Sequence, residues 1–203
     1  MSVLFTSLFS AGSIVWDREF GFLREMLVAP VSRSALVIGK CLGGATVATL
    51  QGLVILALGG LVHVPYNPVL ILTVIGELLL LSFTLTALDV TLAARITHMQ
   101  AFMALNQMLV MPLFFLSGAL YPLNGLPAWL NVITRFDPLT HIVDPMRHAV
   151  FSHLSISALA AHTLDPGVTW SGWVVPDGLA LGLVAATGVG FLSLAIAQFR
   201  RTE

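Results

Sequence analysis

Four apolar runs constrain this chain more than anything else in it. They lie at about 41–62, 69–88, 101–120 and 178–199, each 20 to 22 residues long. Wound as helices at about 1.5 Å per residue, runs of that length reach roughly 30 Å, the thickness of a bilayer's hydrocarbon core. Lipid offers no partner for a free N–H or C=O, so a run this long must pair its backbone within itself, and only the helix does that. Composition agrees, with 57% hydrophobic residues, 9% charged residues and a mean hydropathy of +0.94. A soluble domain carries about 25% charged residues. The fold class expected is therefore an all-α polytopic membrane protein, organised as a single transmembrane domain over residues 1–203.

The remaining segments follow from the runs. Residues 1–15 are apolar but short for a span, with neither a basic leader nor a cleavage pattern, and read as the end of a truncated span. Residues 121–177 form an external segment. Within it, Pro127 to Phe136 and Pro138 to Phe151 each start with a proline, which suits a helix's first turn, and predict short interfacial helices. Trp129, Trp170 and Trp173 fit a belt at the headgroups. Placing residues 16–34 in the cytoplasm puts Arg18, Arg24, Arg33, Lys40, Arg95, Arg200 and Arg201 inside and leaves only Arg135 and Arg147 outside. That is the bias that orients spans, with the C-terminus cytoplasmic.

Residues 16–34 carry an unusual share of the charge: Asp17, Arg18, Glu19, Arg24, Glu25 and Arg33. On a helix, Trp16, Phe20, Leu23, Leu27 and Val31 make one apolar stripe, away from Asp17, Arg18, Gly21, Arg24 and Glu25. Such a helix lies flat at the interface until Pro30 ends it. It serves either as a surface anchor or as a dock for a soluble motor.

Several function classes lack their residues. A net charge of -1 gives no basic field for nucleic acid. Lone Cys41 forms no internal disulfide and reads as structural. The one Gly-Lys pair, Gly39-Lys40, has Ser34 and Cys41 where a phosphate-binding loop needs Gly and Ser or Thr, so Lys40 reads as snorkelling at the membrane edge. No catalytic constellation is arguable from spacing. Histidines 141, 148, 153 and 162 lack the spacing of a helical metal site, so no metal is expected. Within the runs, Glu77 is expected in a helix interface or a polar pathway, and Asp89 as a solvated helix end. Asn106 and Gln107 are packing glue or pathway residues, and Gly178, Gly182, Ala186 and Gly190 form a small-residue stripe for close, mainly intramolecular packing.

Three ordered stretches carry a resemblance. Asp17-Arg-Glu-Phe-Gly-Phe-Leu-Arg-Glu-Met-Leu-Val-Ala-Pro-Val-Ser-Arg33 resembles the cytoplasmic segment of ABC-2 type transporter permeases, of the daunorubicin-resistance-type drug-efflux branch. Met111-Pro-Leu-Phe-Phe-Leu-Ser-Gly-Ala-Leu-Tyr-Pro122 resembles that family's fifth span and its outer end. Pro138-Leu-Thr-His141 followed by Arg147 resembles its Pro-Leu-x-His-x5-Arg signature. The resemblance implies a type V exporter-like domain of six spans, in which residues 1–15 are the end of the second. It implies a coupling helix at 16–34, with Asp17, Arg18, Glu19, Gly21, Arg24, Glu25, Pro30 and Arg33 serving an ATP-binding subunit. Ser117, Gly118, Pro122, Pro138, His141 and Arg147 are the signature positions, and Glu77, Asn106 and Gln107 the candidate pathway. The chain itself would bind no cofactor, with ATP and Mg held by the partner, and would pair with a second permease. Expected activity is outward movement of a hydrophobic or amphipathic, drug-like solute across the inner membrane. A lipid-linked saccharide exporter, a proton-coupled carrier using Glu77 and a non-transporting scaffold stay open as alternatives.

Overall fold

The computed structural model describes residues 2–22, 32–59, 67–120, 128–151, 169–170 and 173–201. Their elements, in chain order, are α1 (Ser2–Glu19), α2 (Arg33–Leu58), α3 (Pro68–Ala93), α4 (Met99–Leu116), α5 (Ala128–Thr134), α6 (Thr140–Phe151), β1 (Thr169–Trp170), β2 (Trp173–Val174) and α7 (Asp177–Arg201). The helices α2, α3, α4 and α7 are long and apolar enough to cross a membrane. Their outward side chains are apolar too: Leu50 is 57% exposed and Leu72 74%, a surface that only lipid covers without cost. The strands form one antiparallel hairpin with Trp170 opposite Trp173, a small exception to the all-α reading.

Helix ends differ from the ends of the apolar runs because polar capping sets them. α2 starts eight residues ahead of the run, where the Ser32 hydroxyl accepts from the Ala35 N–H at 3.2 Å. Ahead of α3, Asn67 caps Val69 N–H through Oδ1 at 3.0 Å, and Pro68 takes the first helical position. α4 stops at Leu116 rather than at 120, because Gly118 adopts a left-handed φ of 73° that turns the chain out of the helix. Trp16 to Glu19 belong to α1, not to a separate flat helix. α1 ends at Glu19, Gly21 turns at φ 81°, and residues 23–31, the middle of the expected coupling helix, lie outside the described residues.

The chain divides into two compact units. Unit one comprises Met1–Gly52, Ser82–Val110 and Ala186–Glu203; unit two comprises Leu53–Leu81 and Met111–Ala185. In unit one, five helices share a core of Ile14 and Val15 from α1, Val37 from α2, Val90 and Ala93 from α3, Phe102 from α4, and Ala195 and Phe199 from α7. Two glycines let helices close up there. A Cβ on Gly44 would sit 2.5 Å from Ser10 Oγ and 2.6 Å from Thr86 Cγ2, and one on Gly188 would sit 2.7 Å from Thr84 Oγ1. Unit two buries Leu70, Val74 and Leu78 of α3 with Leu139, Ile142, Val175, Ala180 and Val184. The small-residue stripe of α7 departs from expectation, since a methyl on Gly178, Gly182 or Gly190 would meet no atom within 4 Å. Among the described residues that face packs against nothing.

Gly44→Ala is expected to lower stability by about 1–2 kcal/mol, as overpacking exceeds the gain in helix propensity. Gly43→Ala, with nothing within 4 Å, leaves stability unchanged or slightly raised. Thermal unfolding of both variants in detergent micelles checks the contrast.

Candidate functional site

Three consecutive residues at the end of α1 each reach a different helix. Asp17 Oδ2 pairs with Lys40 Nζ of α2 at 2.9 Å, and the same ammonium donates to Ser13 Oγ at 3.0 Å. Arg18 Nη1 donates to the Ile96 carbonyl at 3.0 Å and the Ala93 carbonyl at 3.3 Å, with its guanidinium carbon 6.0 Å from the Phe199 ring centroid. Glu19 Oε2 accepts from the Met99 N–H at 2.9 Å, and its other oxygen lies 3.8 Å from His98.

The chemistry follows from the dipoles of the helices concerned. α3 ends without a basic residue in its last turn, and α4 begins without an acidic residue in its first. Free carbonyls at a helix C-terminus attract a cation, and free N–H groups at an N-terminus attract an anion. Arg18 and Glu19 supply both from outside. Arg33 acts similarly, donating from Nη1 to the Phe199 carbonyl near the end of α7 at 3.2 Å. Lys40 is thus ion-paired rather than merely snorkelling.

Deeper in unit one, Asp89 is buried at 3% exposure, which corrects the expectation of a solvated helix end. Its Oδ1 accepts from Asn106 Nδ2 at 2.8 Å and its Oδ2 lies 2.9 Å from Ser7 Oγ. The α-helical period hides this, because α1, α3 and α4 each contribute one residue. Asn106 is thereby an interhelical partner, while neighbouring Gln107 is exposed.

In unit two, the structure brings two of the signature positions, Gly118 and Arg147, together. The Ser117 hydroxyl donates to the Phe114 carbonyl at 2.7 Å and accepts from the Ala119 N–H, forming the turn that Gly118 completes. Arg147 Nη2 of α6 donates to the Gly118 carbonyl, and Thr140 Oγ1 donates to the Leu116 carbonyl at 3.2 Å. Two motifs separated by a long stretch of chain therefore clamp one turn. His141 contacts the Arg135 carbonyl through Nε2 at 2.9 Å. Pro138 lies in the turn that starts α6, just after Asp137, whose Oδ1 accepts from the Leu139 N–H at 2.9 Å. Burial pushes the Asp137 carboxyl up to about 7, against the downward pull of hydrogen bonds from Leu139 and Thr140. Asp137 and Thr140 were not singled out in the sequence, although an Asp-Pro pair ahead of a helical pattern is a capping signal.

The same unit holds an open pocket of about 240 Å³, with Glu77, His148 and Asp177 among its lining residues. Glu77 is 4% exposed, and its Oε2 has no hydrogen-bond partner among the described residues. His148 Nδ1 lies 3.2 Å from Asp177 Oδ2.

Residues 1–151 match the profile of the ABC-2 type transporter family. The chain belongs to that family. Over 152 residues it is 34% identical to Putative transport permease ycf38 of Cyanophora paradoxa, covering 73% of this chain and 52% of the relative. Over 199 residues it is 28% identical to Probable multidrug ABC transporter permease YbhR of Escherichia coli K12, covering 93% and 46%. Over 143 residues it is 27% identical to Probable doxorubicin resistance ABC transporter permease protein DrrC of Mycobacterium tuberculosis H37Rv, covering 70% and 51%. The chain spans about half the length of the curated relatives it matches.

Within this ABC-2 chain, the positions the resemblance assigned to coupling divide. Asp17, Arg18, Glu19 and Arg33 bind other parts of unit one, and Gly21 turns the chain. Arg24, Glu25 and Pro30 lie outside the described residues, as does Pro122. Among the described residues, no three His, Cys, Asp or Glu side chains are grouped to hold a metal.

Arg18→Ala is expected to cost about 1–2 kcal/mol, since charged hydrogen bonds contribute roughly 1.5–3 kcal/mol and this one is partly solvated. Chemical unfolding against wild type measures it. Asp137 adds a pH signature. Its folded pKa of about 7 exceeds the ordinary 3.8, so the folded state holds the proton longer. The contribution is fully present below about pH 4 and is lost as pH rises towards 7, with a slope on the order of 1 kcal/mol per pH unit. Asp137→Asn keeps an acceptor for Leu139 N–H and should flatten that part of the profile, read from melting temperatures between pH 4 and 7.5.

Proposed function

We propose that this chain is the permease subunit of an ATP-driven exporter that moves a hydrophobic or amphipathic, drug-like solute outward across the inner membrane. Membership of the ABC-2 family supports this, as do relatives whose names state multidrug and doxorubicin resistance. The motor is a separate ATP-binding subunit, holding ATP and Mg, and the permease works as a pair of copies. The α1 and α2 ends that flank residues 20–32 face the cytoplasm, the orientation that places seven of the nine Lys and Arg residues there.

The observation that carries the proposal is the wiring at the end of α1. A dock transmits force only if it is tied to the helices it must move. Asp17, Arg18 and Glu19 make contacts to α2, to the end of α3 and to the start of α4. We therefore assign them to transmission and assign the motor contact itself to Arg24 and Glu25, two opposite charges in the segment that joins α1 to α2. Charge complementarity of that kind gives specificity and orientation more than raw affinity.

Co-purification of the tagged permease with a co-expressed ATP-binding subunit from the same genome tests the reading. Wild type should retain the subunit stoichiometrically and show ATP turnover that depends on the permease. Arg24→Glu with Glu25→Arg should cut retention at least tenfold at unchanged melting temperature. Equal retention by that double variant removes the motor contact from these residues, and no complex with wild type removes the exporter class.

A further inference from the structure

The pocket in unit two is built for a positive charge. Among the described residues, its polar lining consists of Glu77 and Thr73 from α3, His148 from α6, and Asp177 at the start of α7, with no lysine or arginine. Glu77 and Asp177 line the same pocket, and two carboxylates that share a site repel one another. Glu77 is 96% buried by its 4% exposure, yet its Oε2 has no partner among the described residues. A buried carboxylate oxygen left unpaired is costly, and an incoming cation that donates a hydrogen bond removes both that cost and the repulsion. Thr73 spends its hydroxyl proton on the Val69 carbonyl at 2.9 Å, which leaves only its lone pairs to offer. His148 holds Asp177 at 3.2 Å from the other side.

Other ligands fit less well. An anion would meet two acids, and a purely apolar solute would leave Glu77 Oε2 unsatisfied. Among the described residues, Glu77, Asp177 and His148 are not grouped as metal ligands. At about 240 Å³ the pocket is smaller than the roughly 300–1,000 Å³ of a site that encloses a whole drug-sized molecule. It suits a head group, with Pro145, Ala149 and Leu181 as apolar walls for the first carbons of the body.

We propose that this pocket binds the alkyl-ammonium head of an amphipathic amine, with Glu77 as the buried acceptor and Asp177 as the outer one. The amine is either a solute handled by the permease, which rests on the exporter reading, or the ethanolamine head group of a membrane lipid.

Fluorescence anisotropy of dansylcadaverine, a primary ammonium on an aromatic body, tests the site on the full chain in maltoside micelles. N-acetylated dansylcadaverine is the neutral control of the same body. The ammonium form should bind at least tenfold more tightly, and Glu77→Gln and Asp177→Asn should each remove most of that preference, as expected for loss of a charge-assisted hydrogen bond. Asp177 is half-exposed, so Asp177→Asn keeps the test valid even if Glu77→Gln does not fold. Added phosphatidylethanolamine that displaces the probe, where phosphatidylglycerol does not, supports the site and names the lipid as occupant. No displacement by either lipid supports it with a soluble amine as occupant. Equal binding of both probe forms, or full preference retained in a folded Asp177→Asn protein, overturns the proposal. No motor subunit is in the assay, so that failure is separate from failure of the exporter reading.

Discussion

Helix ends are the constraint on which the first unit depends. A helix leaves about four N–H groups and four carbonyls unpaired at its termini, and near a membrane fewer partners from water are at hand. Arg18 and Glu19 meet part of that demand, and Asp17 beside them adds an ion pair to the side chain of Lys40. Successive residues on a helix point about 100° apart, so three neighbours at the end of α1 reach three different elements. The result ties α1 to the lysine of α2, to the carbonyls after α3 and to the first N–H of α4. Beneath this polar layer lies the shared core of Val15, Val37, Val90, Phe102 and Phe199. Packing alone lets apolar helices slide. Directional contacts at their ends fix the register.

The second unit applies the same logic to a turn. Gly118 leaves α4 in a left-handed conformation, which takes its carbonyl out of the helical hydrogen-bond ladder. Arg147 takes up that carbonyl, and Thr140 takes up the carbonyl of Leu116. Pro112 within α4 and Pro145 within α6 each lack a backbone donor, so each helix forgoes one internal hydrogen bond. Glu77 stands apart from this pattern. Where Asp89 receives hydrogen bonds from two other helices, Glu77 keeps one oxygen unpaired beside an open pocket. An unpaired carboxylate oxygen that is buried and also borders an open pocket marks a place for a ligand.

Much of the fold was legible because lipid imposes one simple code. Runs of apolar residues mark the spans, and the structure puts a helix on each of them. The ends were less legible: Arg33 to Lys40 are helical although Arg33, Ser34 and Lys40 interrupt the apolar pattern, since Ser32 capping rather than hydropathy sets the start of α2. For the site, residue type and position in the chain picked out Arg18, Glu19, Gly118 and Arg147, but not their partners. Asp89 looked like a helix terminus because hydropathy falls nearby. Its burial comes from Ser7 and Asn106, which lie 82 and 17 residues away in the chain.

The sequence by itself determined the class of fold, the spanning helices and the family, because apolar length and local motifs are properties of contiguous residues. Tertiary structure alone decided which charges are committed inside the protein, that Arg147 closes on Gly118, and that Glu77 shares a pocket with Asp177 and His148. The reason is physical. A hydrogen bond or ion pair between helices depends on their rotation and axial offset, and both are set by how many side chains pack together rather than by any one stretch of chain.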